Sequence, residues 1–218
     1  MINPGKALLT TAYLGPLQYF SKFLLHHEIE IEQWDNYQKQ SYRNRCYIYG
    51  ANGMQCLVVP VCKGSGTKIP IRDITIDYSK SWQKTHWKSI ESAYRLSPWF
   101  EFFEDKIIRF YDRYYQSKFL FDLNTELTEM IINALNITVK LKYTAYYEKS
   151  VNTSADFRES IHPKRRMSKP DQHFINIAYP QVFESKHGFI PNLSIIDLLF
   201  NEGRHARDVL MGMVKGNR

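Results

Sequence analysis

The hydrophobic pattern at the start of the chain predicts a strand, a tight turn and a helix. Residues 6–14 are mostly apolar, as in a buried strand, and Gly15 and Pro16 interrupt them. The next apolar residues recur at helical spacing: Leu17, Phe20, Phe23 and Leu24. In α/β folds such a turn often lies at the carboxyl end of a strand, where ligands bind. Tyr13 and Gln18 flank the turn, so they are candidate substrate-binding residues, or else they pack the helix against the strand.

Two apolar runs separated by turn residues predict a β-hairpin. The runs are residues 46–49 and 56–61, and residues 51–53 (Ala-Asn-Gly) lie between them. Residues 69–76 have the pattern of another strand. Its alternation shifts phase near residues 72–73, which predicts a β-bulge.

Helical periodicity dominates the middle of the chain. Residues 81–95 are predicted to form a helix with His86 on its apolar stripe, and a second aromatic stripe begins at Trp99. A third, amphipathic helix follows, and either Asn124 or Thr125 is available as its N-terminal cap.

The last third of the chain completes an α/β pattern. Residues 137–145 alternate as in a half-exposed strand, and residues 151–169 are polar, basic and aperiodic, which predicts a long loop of a kind that is often functional. Residues 194–197 resemble a capping box, and Gly203 separates two amphipathic helical segments. We therefore expect one α/β domain spanning residues 1–218, with a mixed β-sheet flanked by helices and a helical carboxyl-terminal segment.

Composition and charge narrow the classes of partner. The chain is 44% hydrophobic and 15% aromatic, and it carries a formal net charge of +7. Phosphorylated small molecules, nucleic acids and anionic lipids all suit a basic protein. Nucleic acid rests on charge alone, so it is the weakest of these predictions. No apolar run approaches the roughly 18 residues of a membrane span, and no signal peptide is apparent. The three cysteines are predicted to be reduced thiols in a cytoplasmic protein.

The polar segment 35–45 is the strongest candidate for a binding site. Its eleven residues contain no aliphatic side chain, although they lead directly into the predicted hairpin. In an extended chain two arginines at i and i+2 project to the same side, where both can grip one phosphate or carboxylate. Asp35 is placed to orient one of them, and the alternative is an exposed edge on which the arginines pair with surface acids. The candidate substrate-binding residues are Gln40, Tyr42, Arg43, Asn44 and Arg45.

His86 and its neighbour Trp87 form the second candidate site. A histidine among aromatic side chains is commonly a hydrogen-bonded core residue, but burial also lowers its pKa and tunes it as a general base. Cys46 is a candidate nucleophile if adjacent arginines stabilise its thiolate, or otherwise an inert buried thiol.

Metal and cofactor sites are not predicted. No His or Cys cluster has the spacing of metal ligands. The glycine-rich stretch 63–68 lacks the spacing of a Walker P-loop, so it is either a phosphate-binding nest or a simple hairpin connection.

The chain resembles the WbqC-like protein family over nearly its whole length. The runs that carry the resemblance are YLGPLQYF at 13–20, QSYRNR at 40–45, NG at 52–53, VPV at 59–61, HWKSI at 86–90 and SIIDLLFN at 194–201. The turn near Gly15 departs from the Gln-Pro-x-Tyr form of many relatives. The family takes its name from a protein encoded in bacterial O-antigen gene clusters, so the resemblance implies a role in surface-glycan metabolism. It also favours a site at residues 42–45 and 86–87.

Two functional hypotheses follow. The first is a transferase acting on a sugar nucleotide or glycan precursor of O-antigen (lipopolysaccharide) biosynthesis. Here Arg43 and Arg45 hold a phosphorylated or carboxylated sugar, His86 is the general base, and Asp35 or Asn44 orients the acceptor. The second is a non-enzymatic accessory protein that binds a glycan or a partner protein in the same pathway.

Overall fold

The computed structural model describes residues 5–62, 68–149, 155–164 and 167–215 of the chain. The strands are β1 (Lys6–Thr10), β2 (Glu28–Glu32), β3 (Arg45–Gly50), β4 (Gly53–Val58) and β5 (Lys140–Tyr143). The helices are α1 (Leu17–Leu25), α2 (Trp82–Tyr94), α3 (Phe100–Ile108), α4 (Leu120–Ala134), α5 (Glu184–His187), α6 (Ile195–Glu202) and α7 (Ala206–Gly212). The predicted α/β class and helical carboxyl-terminal segment are confirmed.

Strands β1, β2 and β5 form a parallel sheet in that order. Beyond β1, Leu8 exchanges backbone hydrogen bonds with Ala155 (3.0 Å) and Phe157 (2.9 Å), so the chain at 155–157 extends the sheet at this edge. Strands β3 and β4 form a separate antiparallel hairpin, in which Gly50 pairs with Gly53. The sheets of the molecule are thus mixed, and the parallel one has its carboxyl ends together at one edge.

The parallel sheet has one apolar face and one charged face. Strand β2 reads Glu-Ile-Glu-Ile-Glu, and its isoleucines are buried beside Ala7 and Leu9 of β1. On the opposite face Glu28 pairs with Lys142 at 2.9 Å, and Lys6 pairs with Glu30. Because side chains alternate along a strand, this pattern fixes the register of β2 in the sheet. One continuous apolar core lies against the buried face and includes the hairpin and the terminal helices.

Several predicted elements differ from those in the structure. Strand β2 is absent from the sequence predictions, although its alternation has period two. Residues 69–76 form a 3₁₀ turn (Ile71–Asp73) flanked by single bridges, not a strand with a bulge, because Pro70 and Ile71 accept the hydrogen bonds of a tight turn. The predicted glycine-rich nest and part of loop 151–169 lie outside the described residues.

Neither predicted helix cap makes a capping hydrogen bond with its side chain. Helix α4 begins at Leu120, so Asn124 lies in its second turn and donates its amide to the Arg43 carbonyl at 2.8 Å. Ser194 is the N-cap residue of α6, as predicted, but its hydroxyl donates to the Leu14 carbonyl at 2.7 Å instead of accepting from the helix. Asp197 instead accepts hydrogen bonds from buried side chains, which are those of Tyr94, Tyr179 and Gln181. In both cases the side chain that local propensity assigns to a helix cap forms a hydrogen bond with a residue distant in sequence instead.

Within the residues that the structure describes, no helix is both long enough and apolar enough to cross a membrane.

Candidate functional site

The candidate site lies at the carboxyl ends of β1 and β2. After β2 ends at Glu32, residues 33–35 leave the sheet and are held by the 3₁₀ turn: the Ile71 amide donates to the Asp35 carbonyl at 2.8 Å. After β1, the Tyr13 amide donates to the Tyr42 carbonyl at 2.9 Å. These contacts bring the polar segment 35–45 to the edge of the sheet where α/β proteins commonly bind ligands.

Asp35 and Arg43 form a buried ion pair at this edge. The Arg43 side chain is the largest that is almost completely buried, at 1% exposure, and Asp35 is 7% exposed. One guanidinium nitrogen of Arg43, Nη2, donates to Asp35 Oδ2. The sequence prediction that Asp35 orients an arginine therefore has a structural counterpart, in which the arginine is Arg43.

Both members of this pair keep unused hydrogen-bonding groups. Asp35 Oδ1 and Arg43 Nε are buried and have no hydrogen-bond partner in the structure. The Thr10 hydroxyl, at the end of β1, is also buried without a partner. Unsatisfied buried polar groups are costly, and they indicate a place where a ligand or water completes the site.

Burial perturbs the carboxyl group of Asp35. Desolvation raises its pKa above the ordinary value, although the Arg43 guanidinium partly opposes this because it stabilises the ionised carboxylate. The carboxylates of Glu32 and Glu159 raise the pKa further. A carboxylate with a raised pKa is a stronger base, so Asp35 is chemically suited to accept a proton from a substrate.

A second polar network adjoins the pair. Arg158 Nη1 donates to Glu32 Oε2 at 3.1 Å, and Arg158 Nη2 donates to Asp156 Oδ2 at 2.7 Å. The other oxygen of Glu32 accepts hydrogen bonds from the Thr144 hydroxyl and the Trp34 amide, both at 2.8 Å. This network joins the carboxyl ends of β2 and β5 to the segment that follows β5. Its Glu32 carboxylate is close enough to Asp35 to raise the pKa of that residue.

His86 belongs to a separate aromatic cluster. Its Nδ1 lies 2.8 Å from the Tyr13 hydroxyl, which in turn lies 2.7 Å from the Tyr111 hydroxyl. Burial lowers the pKa of His86 to about 4, partly offset by a hydrogen bond to the Val58 backbone. With both ring nitrogens engaged and the imidazole neutral at pH 7, His86 holds Tyr13 in place. Within the described part of the chain, no hydrogen bond or ion pair joins His86 to Asp35, Arg43 or Arg45.

Cys46 lies close to the same cluster and is fully buried. Burial raises the pKa of its thiol well above the ordinary value, and the thiol of Cys56 adds to this effect. Cys46 is therefore a protonated thiol at neutral pH, which removes the basis for a nucleophilic role.

The remaining residues predicted from segment 40–45 have different surroundings. The Asn44 amide donates to the Val59 carbonyl at 2.9 Å and so ties the segment to the chain after β4. Tyr42 packs edge-on against Tyr47, with 6.2 Å between ring centroids. Arg45 is half-buried with its Nε unpartnered, and Gln40 is exposed in a turn with a φ of 59°.

Gln18 and Trp87 lie away from the ion pair. Trp87 stacks on Phe100, with 6.0 Å between ring centroids, so it belongs to the aromatic packing of α2 and α3. Gln18 donates to Asp171 Oδ2 at 2.9 Å, and the same carboxylate pairs with Lys22, which is completely buried. This second buried pair fastens α1 to the chain near residue 171.

Several residues of the site were not found from the sequence. Glu32 ends an alternating strand, so the period-two pattern would have placed it at the sheet edge. Arg158 and Asp156 lie in the aperiodic stretch after β5, and no local signal marks them. Among the described residues, no group of three or more His, Cys, Asp or Glu side chains is arranged to hold a metal ion.

Comparison with known proteins gives two matches. The WbqC-like protein family profile matches residues 11–170 and 161–209. An uncharacterized protein of Mycobacterium tuberculosis, Rv1507c, is 27% identical over 224 aligned residues, which cover 94% of this chain and 96% of that protein. No solved structure matches the chain. Because the family profile extends over most of the sequence, the chain belongs to the WbqC-like protein family.

Proposed function

We propose that this protein is a transferase of bacterial surface-polysaccharide (O-antigen) biosynthesis that acts on a phosphorylated or carboxylated sugar substrate. The reaction takes place at the carboxyl edge of the parallel sheet. Asp35 is the general base, and Arg43 binds the anionic group of the donor. Family membership supports the pathway, and the position of the ion pair supports the site.

One observation carries this proposal: a buried carboxylate oxygen and a buried guanidinium N–H lie in the same ion pair without partners. A purely structural ion pair is stabilised when its remaining groups are hydrogen-bonded. Here Asp35 Oδ1 is left to accept a proton, and Arg43 Nε is left to donate to an anion. The carboxylate can therefore accept the proton that the acceptor loses, and the guanidinium can bind the anionic group of the donor.

These two residues are sufficient to take up the proton and to stabilise the leaving group in the proposed reaction. An acceptor hydroxyl or amine gives its proton to Asp35 as its oxygen or nitrogen bonds to the transferred group. The bond between that group and the donor phosphate oxygen breaks, and the phosphate leaves with the bonding electrons. Arg43 stabilises the negative charge on this leaving group. His86 has a positioning role, because it holds Tyr13, whose backbone in turn holds Tyr42 beside Arg43.

We place this reaction in the cytoplasm, where sugar nucleotides are available. The free thiols of Cys46, Cys56 and Cys62 support this location.

The test uses a strain in which the gene is deleted and then restored as variants. Asp35→Asn together with Arg43→Gln removes both charges but retains two amides that can hydrogen-bond each other, which limits the folding penalty of a lone buried charge. We expect this double variant to leave the surface polysaccharide as defective as the deletion does. Asp105→Asn, which changes an exposed carboxylate on α3, should restore the polysaccharide fully.

Melting temperatures of the purified variants show whether each one folds. Normal polysaccharide in cells that carry the folded double variant would overturn the proposed site. To separate an enzyme from an accessory protein, purified wild-type protein is incubated with sugar nucleotides and an extract of the deletion strain. An enzyme releases free nucleotide in this assay. Absence of release by protein that restores the polysaccharide in cells would favour the accessory hypothesis.

A further inference from the structure

A groove of about 380 Å³ lies at the carboxyl ends of β2 and β5, where Gln33 begins the connection to Asp35. We refer to it as the β5 groove. Its volume lies in the range of sites that bind small molecules. Its lining includes Gln33, Arg72, Asp73, Phe121, Asp122 and Tyr143.

The groove and the Asp35–Arg43 pair share one stretch of backbone. Gln33, which lines the groove, is two residues before Asp35, and its carbonyl accepts a hydrogen bond from the Arg72 amide at 3.2 Å. The Asp35 carbonyl accepts one from Ile71 at 2.8 Å in the same 3₁₀ turn. A ligand that fills the groove therefore lies against the backbone stretch that leads to Asp35.

An aromatic ring and a guanidinium, those of Tyr143 and Arg72, belong to the lining of the groove. Tyr143 is 38% exposed and packs edge-on against Phe121, with 5.8 Å between ring centroids. Arg72 lies over the indole of Trp34, with its central carbon 4.3 Å from the ring centroid, and its side chain is 40% exposed. A partly exposed guanidinium beside an indole can make a further cation–π or stacking contact with a bound ring. Such surfaces suit a planar heteroaromatic base.

Asp122 provides the polar group that a sugar ring needs. In the described part of the chain its carboxylate makes no ion pair and no hydrogen bond, whereas Asp73 pairs with Arg72 at 3.7 Å. Desolvation raises the pKa of Asp122, and the charge of Arg72 counteracts this. A free carboxylate beside an aromatic wall is the arrangement that accepts hydrogen bonds from the hydroxyls of a ribose.

We propose that the β5 groove binds the nucleoside part of a nucleoside diphosphate sugar, with the base on Arg72 and Tyr143 and the ribose hydroxyls on Asp122. This inference rests on the proposed transferase function and specifies the donor of that reaction. It orients the donor with its phosphates toward Arg43, the buried cation that pairs with Asp35 after the end of β2.

Binding is measured by calorimetry with UDP, GDP, CDP and ADP and with their 2′-deoxy counterparts. We expect one ribonucleotide to bind wild-type protein, and its deoxy counterpart to bind about tenfold more weakly. In Asp122→Asn this preference for ribose should disappear. Arg72→Ala should weaken both forms by about tenfold, because it removes a stacking surface. Asp105→Asn and Arg95→Ala are matched controls on exposed helix surfaces, and they should bind like the wild type.

Two results would overturn the assignment of the groove. One is the absence of nucleotide binding to folded wild-type protein at millimolar concentration. The other is nucleotide binding that Arg72→Ala and Asp122→Asn leave unchanged. Neither variant alters Asp35 or Arg43, so loss of polysaccharide in the double variant would still support the proposed reaction. Conversely, groove-dependent binding combined with a normal polysaccharide in the double variant would retain the groove and reject the reaction.

Discussion

At the scale of single residues, Asp35 and Arg43 combine two properties at the carboxyl edge of the parallel sheet. They are almost completely buried, yet each keeps a polar atom without a partner. Burial of a charge is costly unless the charge is paired and hydrogen-bonded, so the open groups represent a stability cost that the protein retains. We assign the site to the edge of the sheet because these unpartnered groups lie there.

His86 gives a prediction about acid stability. Its pKa is about 4 in the folded protein and about 6.5 when unfolded. The unfolded state therefore binds more protons between these values, and the contribution of His86 to stability is lost as the pH falls below about 6.5. We expect the stability advantage of wild type over His86→Gln to shrink by about 2 kcal/mol between pH 7 and pH 4.5.

Urea unfolding of both proteins at the two pH values measures this difference. Other titrating groups affect both proteins equally and cancel in the comparison. A stability advantage that stays constant with pH would show that the imidazole is not buried in its neutral form.

At the scale of elements, the junction of α6 and α7 depends on Gly203. Its φ is +54°, and a Cβ built there would lie 2.0 Å from the Trp99 ring. Gly203→Ala thus adds backbone strain and a steric clash, and we expect it to cost about 3 kcal/mol or more. Gly188, with a φ of +74° and a ψ of 178°, also has a backbone conformation that favours glycine, but it has no atom within 4 Å of its potential Cβ, so Gly188→Ala should cost the strain alone, about 2 kcal/mol.

Thermal and urea unfolding of the two glycine variants separate strain from clash. Equal losses of stability in both variants would mean that the Trp99 ring moves aside without cost. That result would contradict the tight packing of the junction.

Sequence patterns predict most of the helices and strands. They give wrong predictions where contacts with residues distant in sequence determine the local structure. Helices α1, α2 and α6 and the hairpin follow from periodicity and turn residues, and all are present. The apolar content of residues 69–76 predicts a strand, whereas Ile71–Asp73 forms a 3₁₀ turn in which the Pro70 carbonyl accepts a hydrogen bond from the Asp73 amide. Asn124 has the propensity of a helix cap, but its side-chain amide donates a hydrogen bond to the carbonyl of Arg43, which is 81 residues away in sequence.

At the scale of the whole molecule, one segment joins the site to α1. It begins at residue 155 beside β1 and is fastened by Arg158 to Glu32 and by Asp171 to Lys22. Asp171→Asn would leave Lys22 as a buried cation without its counter-charge, whose pKa burial already lowers. We expect amide hydrogen exchange in residues 155–164 to become about tenfold faster, because local opening becomes easier.

Hydrogen exchange measured by mass spectrometry, with Asp105→Asn as the matched control, tests this expectation. Unchanged exchange in residues 155–164, or an equal increase throughout the chain, would show that the Lys22 pair does not hold this segment in particular.

The site could be predicted only where its residues are close in sequence. Asp35 and Arg43 are eight positions apart and stand out because segment 35–45 lacks aliphatic residues. Glu32 and Arg158 are 126 positions apart, and only the parallel pairing of the sheet brings them together. The predicted involvement of His86 in a site follows from its aromatic stripe, but periodicity cannot reveal that Tyr13 and Val58 engage its nitrogens.

The surface polysaccharide made by a gene-deletion strain that carries the Asp35→Asn/Arg43→Gln double variant is the most direct measurement of the central claim. We predict that the double variant folds and that the polysaccharide remains as defective as in the deletion strain, while Asp105→Asn restores it. A folded double variant that supports polysaccharide at the wild-type level would contradict the assignment of the reaction to the carboxyl edge of the sheet.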